Sequence, residues 1–178
     1  MSGETRRVVV LGLLACLLGG YAYVTAPEKK VLGSDAARKP DRPVLDFLSD
    51  KVTRLTVAFE GKQLVCQRTP QGWIEPTSGI PLRQDAVDDF LANLHKLLHL
   101  GEVDGDPRLG EEFGLKPPVA QVSMQIEGES PRTLALGKNN PVQSSLYAQI
   151  NEAPQIVLVG SVIIWDMRKL FLAALPTS

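Results

Sequence analysis

The chain has 178 residues, enough for one domain with a full hydrophobic core and an additional segment. Its 19 basic and 20 acidic residues give a formal net charge of -1, without the strong positive field that nucleic-acid binding requires. Hydrophobic residues make up 44% of the sequence, which excludes an intrinsically disordered chain.

Residues 8–24, VVVLGLLACLLGGYAYV, are apolar, small or aromatic without interruption, and Arg6-Arg7 precede them. As a helix this segment would span roughly 25 Å, close to the thickness of a bilayer core. We interpret it as an uncleaved transmembrane signal anchor. Ala15 and Gly19 have the spacing of small residues at which membrane helices pack together.

Two other interpretations of this segment stay open. A signal peptidase could cleave after Ala26, although Pro27 directly after the cut disfavours cleavage. Cys16 could instead be lipidated, because Leu13-Leu14-Ala15-Cys16 is similar to the lipobox of bacterial lipoproteins. Basic residues flank the segment on both sides and do not fix its orientation, but a long C-terminal domain translocates largely regardless of charge. We therefore expect residues 1–7 in the cytoplasm and the bulk of the chain in the periplasm.

Residues 25–43, TAPEKKVLGSDAARKPDRP, are rich in proline, charge and small residues and show no periodicity. This composition is typical of a flexible tether. The folded domain is therefore expected over residues 44–178.

The first half of that domain, about 44–112, contains strands and then a helix. Alternating apolar residues over 55–59 predict a half-buried strand, and residues 64–66 and Trp73 belong to the strands that return from it. Over residues 82–100, apolar residues recur at three- and four-residue steps, which predicts one amphipathic helix ending at Gly101.

The second half, about 113–178, has the same order. Strands are predicted near 119–126, 133–137, 145–150 and 155–159, followed by a helix over 161–172 that Ser161 could cap. Both halves contain a hairpin that turns at Glu-Gly, which suggests an internal duplication. The predicted fold class is α+β, built from two similar halves of antiparallel strands, each followed by a helix.

The sequence contains no motif for nucleophilic catalysis, phosphate binding or dinucleotide binding, so we expect no catalytic residue, no cofactor and no enzymatic activity. His95 and His99 could share one face of the predicted helix and bind a metal ion, but no further His or accessible Cys completes a zinc site. The acidic run over 102–112 lacks the spacing of a calcium loop. The acidic residues of the predicted helix are explained by its dipole, which favours carboxylates in the first turns; they are Asp85, Asp88 and Asp89.

A binding cleft or interaction surface is the remaining possibility. The turn-rich segment Gly137-Lys138-Asn139-Asn140-Pro141 could line such a cleft, because Asn tolerates left-handed backbone angles and Pro fixes the next residue. Trp73 and Tyr147 are further candidates for its walls, and Trp73 and Trp165 are expected to be core or interface residues. In the segment FGLKPP, we expect Gly114 to be left-handed and Pro117 and Pro118 to direct the chain into the next strand.

These motifs, taken in order, resemble a known family. Gly72-Trp73, the helix, Phe113-Gly114-Leu115 with Pro117-Pro118, Gly137, Asn140-Pro141, Tyr147 and the strand at 156–159 are similar to the domain of unknown function 4340 family. Here Val142-Gln143-Ser144-Ser145 stands where that family has a loop glycine after Asn-Pro. The resemblance implies a bacterial protein with an N-terminal membrane helix, and some members resemble partners encoded beside ABC transporters of the gliding-motility type.

Two functions fit these expectations. The first is a non-enzymatic accessory subunit of a membrane complex, with an ABC-type transporter as the partner. The second is a periplasmic ligand-binding or assembly module of envelope secretion machinery. We expect the inner membrane and a protein as partners, and the sequence does not name a small-molecule ligand.

Overall fold

The computed structural model describes residues 42–103, 110–142 and 144–174, all of which fall in the compact unit Ala37–Ser178. The domain contains one large antiparallel sheet and two helices, which confirms the α+β class. The strands are β1 (Val52–Phe59), β2 (Lys62–Thr69), β3 (Gly72–Ile74), β4 (His99–Val103), β5 (Ala120–Ile126), β6 (Arg132–Asn139), β7 (Ser145–Ile150) and β8 (Ile156–Gly160), and the helices are α1 (Gln84–His95) and α2 (Ile163–Ala173).

The predicted membrane segment, with Ala15, Cys16 and Gly19, lies outside the described residues, as does most of the predicted tether. Within the described part of the chain, neither helix has the length and apolar character needed to cross a bilayer. The last two residues of the predicted tether are part of the fold. The Arg42 carbonyl accepts a hydrogen bond from the His99 amide at 3.1 Å, and Pro43 forms a bridge with Leu98.

The eight strands follow the order β3-β2-β1-β5-β6-β7-β8-β4, and every neighbouring pair is antiparallel. Short turns after residues 59, 126 and 150 join the hairpins, and these hairpins match the sequence prediction. β4 is the exception to local pairing. It follows α1 in sequence but lies at the far edge of the sheet beside β8, so α1 and its flanking loops carry the chain from one edge to the other.

One face of the sheet is apolar and forms the core. Along β1 and β5 every second residue is fully or nearly fully buried, as in Leu55, Val57, Val122 and Met124. The opposite face carries polar residues at paired positions, such as Thr56 opposite Ser123. This alternation is the pattern of a sheet that helices cover on one side.

The two helices run antiparallel to each other over the apolar face. Asn93 near the end of α1 donates a hydrogen bond to Asp166 near the start of α2 at 2.9 Å. At the other end of the pair, the Arg83 amide donates to the Ala174 carbonyl at 2.9 Å. Phe90, Leu91 and Leu94 of α1 and Ile163, Met167 and Leu170 of α2 complete the core beneath them.

The predicted helix over residues 82–100 is too long. α1 ends at His95, and the apolar residues that follow it enter a loop and then β4, so Gly101 is a strand residue and not a helix stop. The spacing of Leu94, Leu97 and Leu98 fits a helix. However, the Leu97 carbonyl accepts its hydrogen bond from the Val44 amide at 2.8 Å and not from an amide of a further helical turn. A long-range partner therefore competes successfully with the next helical turn.

The prediction that Ser161 caps α2 is also wrong. The residue at the N-cap position is Val162, which has helical backbone angles and provides no side-chain cap. The Ser161 hydroxyl instead donates to the Ser144 carbonyl at 3.5 Å, across the end of the β7–β8 pair.

The FGLKPP segment packs on β6. Gly114 has a φ of +68°, the left-handed angle expected of it, and the Lys116–Pro117 peptide bond is cis. The Lys138 amide donates to the Phe113 carbonyl at 2.8 Å, and Leu115 is buried. Gly137 makes this approach possible, since a Cβ there would clash with the Phe113 carbonyl oxygen.

We predict that Gly137→Ala lowers the free energy of unfolding by about 1–3 kcal/mol, because the added methyl group would force the Phe113 backbone off β6. Gly101→Ala is the matched control. It is also a strand glycine, and the nearest atom to its added Cβ would be the Leu158 Cδ1 at 4.0 Å. Urea unfolding followed by circular dichroism measures both. Equal midpoints for the two variants would contradict this account of the loop.

Candidate interaction surface

The residues predicted to line one cleft do not come together. Trp73 is in β3 at one edge of the sheet, whereas Asn139 and Tyr147 belong to β6 and β7. Four strand spacings separate β3 from β6, a distance of about 19 Å along a flat sheet. No single ligand of ordinary size would contact all of them.

Trp73 is a core residue with polar partners at its rim. Only 1% of it is exposed, and its indole Nε1 donates to Asp88 Oδ1 at 3.0 Å. The Arg68 guanidinium lies 4.3 Å from the ring centre and also donates to the backbone carbonyls of Val52 and Ser49. These contacts tie β2, β3 and α1 together, so the role of Trp73 is structural.

The Asn-Pro turn and Tyr147 are structural as well. The Asn140 side-chain oxygen accepts hydrogen bonds from the amides of Ser144 and Ser145 at 3.1 and 3.2 Å, which closes the turn between β6 and β7. The Tyr147 ring lies on the helix-free face, with its centre 4.6 Å from that of Phe113. Pro141 occupies the turn itself.

The three aspartates of α1 serve three separate contacts. Asp88 accepts from Trp73, and Asp89 pairs with Lys169 of α2 at 3.4 Å. Asp85 is bound by Arg83, whose hydrogen bond lowers the pKa of that carboxyl. Their positions do not form a pair of acids aimed at one substrate.

The structure separates the two histidines that could have shared a metal ion. His95 ends α1, with its ring edge-on to Phe47, and its buried Nδ1 has no hydrogen-bond partner among the described residues. His99 is buried in β4, with Nε2 3.8 Å from the Glu102 carboxylate. The shared helical face does not exist. In the described ranges no three His, Cys, Asp or Glu residues are grouped as metal ligands would be, and residues 104–109 of the acidic run lie outside them.

A cleft of about 340 Å³ lies on the helix side of the domain, where α1 ends and α2 begins. Its polar wall contains Asn93 and Asp166, which are hydrogen-bonded to each other, and Lys96. The rest of the wall is mainly apolar. The lining residues are Asn93, Lys96, Leu97, Leu98, Leu100, Gly160, Val162 and Asp166.

Large apolar side chains are exposed around this cleft and along α2. Leu100 is 51% exposed and Val162 is 59% exposed, and both line the cleft. On α2, Trp165 is 70% exposed and Leu172 is 84% exposed. We call the set Leu98, Leu100, Val162, Trp165 and Leu172 the apolar surface.

The sequence suggested Trp165 as a core or interface residue, but it did not predict the rest of this surface. The segment 163–173, IIWDMRKLFLA, is apolar on nearly every side, and such a pattern is typical of a helix buried all round. Trp165 and Leu172 are seven residues apart and share one face, opposite the buried residues. That spacing was the available signal.

A central part of the chain matches a known protein family. Residues 73–169, more than half of the chain, match the family model described as "Domain of unknown function (DUF4340)". The protein belongs to this family. No curated protein and no solved structure matches the chain. In this DUF4340 protein the matched region begins at Trp73 and includes both helices except the end of α2, so it contains the cleft.

Cys66 offers a direct check on chemical reactivity. Burial raises the pKa of its thiol from 9.0 to about 12, with a smaller contribution from the charge of Glu75. The thiolate fraction at pH 8 is then roughly a thousandfold below that of a group at the usual value. In a Cys16→Ser variant, we predict that iodoacetamide leaves Cys66 unmodified in the native protein and modifies it fully in guanidinium, as measured by intact mass. Rapid labelling of the native thiol would show that Cys66 is accessible.

Proposed function

We propose that this DUF4340 protein is a non-enzymatic, membrane-anchored accessory subunit of a cell-envelope complex. An ABC-type transporter is the complex that we propose. The domain would lie in the periplasm and dock onto a partner protein through the apolar surface around the cleft.

The exposure of the apolar surface is the observation that carries this proposal. Leu98, Leu100 and Val162 line one cleft and are all exposed, and Trp165 continues the surface one turn further along α2. Contiguous apolar area on a soluble domain marks an interaction site, whereas single exposed apolar residues do not. Aromatic residues are also enriched at the centres of protein interfaces.

The entry of the chain into the domain fits an anchored arrangement. Pro43 pairs with Leu98, which lines the cleft, so the end of the predicted tether reaches the domain beside the apolar surface. A membrane-anchored protein would therefore keep this surface within reach of a partner in the same membrane.

Several polar residues are bound to partners within the fold, which supports a role without catalysis. The aspartates of α1 each have a structural partner, and burial raises the pKa of the Cys66 thiol to about 12. Nucleophiles and general acids need accessible groups with pKa values suited to their task. Those described here stabilise the fold.

A second function has a specific observation in its favour. The cleft volume of about 340 Å³ lies within the range of small-molecule sites. Asn93, Lys96 and Asp166 would supply polar contacts, and the leucines would supply the apolar wall. The protein would then be a periplasmic ligand-binding or assembly module of envelope secretion machinery.

We also interpret the domain as two similar halves, about 44–112 and 113–178. The hairpins β1–β2 and β5–β6 both turn at Glu-Gly, and β1 and β5 lie side by side and antiparallel at the centre of the sheet. The helices α1 and α2 are antiparallel too, as a two-fold relation between halves would require. β4 and β8 do not obey this two-fold relation, because β4 follows α1 in the chain whereas β8 precedes α2.

The docking proposal predicts that Leu100→Asp and Val162→Asp in the full chain each reduce recovery of membrane partners at least fivefold after reversible cross-linking and affinity purification. A charge in a desolvated interface is costly. Neither change should unfold the domain, since both side chains are exposed.

Val142→Asp is the control, because Val142 is 76% exposed but lies in the β6–β7 turn. Equal recovery from all three variants would overturn docking through this surface. If instead the variants lost affinity for a small envelope metabolite and kept their protein partners, the ligand-binding function would replace it.

A further inference from the structure

We propose that the cleft binds a free α-amino acid with an apolar side chain, such as leucine. The ligand's carboxylate would pair with Lys96, its ammonium group would pair with Asp166, and its side chain would lie against the leucines of the wall. This inference rests on ligand binding, the second function proposed above, and names the chemical class of the ligand.

The size of the cleft sets the size of its ligand. A volume of about 340 Å³ lies at the lower end of the range for small-molecule sites, which is about 300–1,000 Å³. An amino acid fits within this volume together with some water. A nucleotide or a membrane lipid would extend well beyond it.

Two opposite charges lie on the same wall of the cleft without forming an ion pair with each other. Asp166 Oδ1 accepts a hydrogen bond from Asn93 Nδ2 at 2.9 Å, and Asp166 Oδ2 has no partner among the described residues. Lys96 follows Asn93 by three residues, so the two side chains leave the end of α1 on the same side. Within the described ranges, Lys96 has no ion-pair partner. One cation and one carboxylate oxygen are therefore available to a ligand.

This arrangement favours a ligand that carries both charges. An anion alone would pair with Lys96 but be repelled by Asp166, and a cation alone would meet the opposite problem. A phosphate group would meet the same carboxylate with two negative charges. An ammonium group and a carboxylate on one carbon atom satisfy both residues with charge-assisted hydrogen bonds.

The rest of the wall fits the side chain of such a ligand. Leu97 is buried and is a fixed part of the wall, whereas Leu98, Leu100 and Val162 line the same cleft and are exposed. An apolar side chain placed among them would remove apolar surface from water on both molecules, which favours binding. In an amino acid with an apolar side chain, as in this wall, apolar and charged groups lie next to each other.

The first experiment measures which groups of the ligand are needed. Isothermal titration calorimetry of the full chain in detergent micelles would compare L-leucine with N-acetyl-L-leucine, which lacks the ammonium group, L-leucinamide, which lacks the carboxylate, and glycine, which lacks the side chain. We expect L-leucine to bind with a Kd below about 1 mM and the other three to bind at least tenfold more weakly. Equal affinity for L-leucine and any of the three would overturn the inference.

Two variants of the protein test which residue contacts which group. Lys96→Met should weaken L-leucine at least fivefold and leave L-leucinamide unchanged, because both changes remove the same ion pair. Asp166→Asn should weaken L-leucine at least fivefold and leave N-acetyl-L-leucine unchanged. The asparagine keeps an oxygen that can accept from Asn93, so the change removes the charge and not the hydrogen bond.

Lys62→Met and Asp50→Asn are the matched controls, since both residues are exposed and neither lines the cleft. They should bind L-leucine as the unchanged protein does, and thermal unfolding checks that all four variants are folded. If a folded Lys96→Met or Asp166→Asn variant bound L-leucine as tightly as the controls, the proposed contacts would be wrong.

Methyl NMR of leucine- and valine-labelled protein locates the ligand. L-leucine should shift the methyl signals of Leu98, Leu100 and Val162, and leave that of Val142 in the β6–β7 turn unchanged. Binding that shifts none of the cleft methyl signals would place the ligand elsewhere and overturn the inference.

Other probes separate this inference from the functions proposed above. If glucose, phosphate or hexanoate shifted the cleft methyl signals and L-leucine did not, the ligand-binding function would stand and the amino-acid inference would fail. If none of the four bound, the inference would fail. Docking of a partner protein would remain open in that case, since the recovery of membrane partners with Leu100→Asp and Val162→Asp tests it separately.

Discussion

The rest of this structure depends on how one wide apolar sheet face is covered. Eight strands span about 34 Å across the sheet, whereas two helices side by side cover about 20 Å. Other segments must therefore exclude water from the remaining area. Residues 44–47 do so at one side, where Val44, Leu45 and Phe47 are all buried in the core. Trp73, which Asp88 and Arg68 contact, does so at the opposite edge.

This constraint also explains where apolar residues stay exposed. The helices meet the loop after α1 at the cleft, and no described element closes over it. α2 is apolar on both its inner and outer sides, but only its inner side has a sheet to contact. The outer side, which exposes Trp165 and Leu172, is thus surface that the domain's own fold leaves uncovered. Evolution commonly retains such surface where another molecule completes the structure.

Local signals predicted much of the fold. The hairpins were evident because alternation and turn residues act between neighbours in the chain, and Gly114 was evident because its φ is a local requirement. The end of α1 was not evident from the sequence, since Leu97 and Leu98 suit a helix. In the structure they pair instead with Val44 and Pro43, some fifty residues earlier in the chain. The residues predicted to line one cleft lie apart for a related reason. Conspicuous residues such as Trp73 hold the fold together, and the exposure of Leu100, Val162 and Trp165 in the structure identified the surface.

The attachment of Arg42 and Pro43 to β4 has a mechanical consequence. Any tension applied from the N-terminal side reaches the domain first through two backbone hydrogen bonds, from the His99 amide to the Arg42 carbonyl and from the Val44 amide to the Leu97 carbonyl. Those bonds bracket Leu98, which forms part of the cleft wall. A pull that loosened them would change the shape of the cleft before it disturbed the core. The attachment point of the N-terminal segment and the cleft are thus one structural unit.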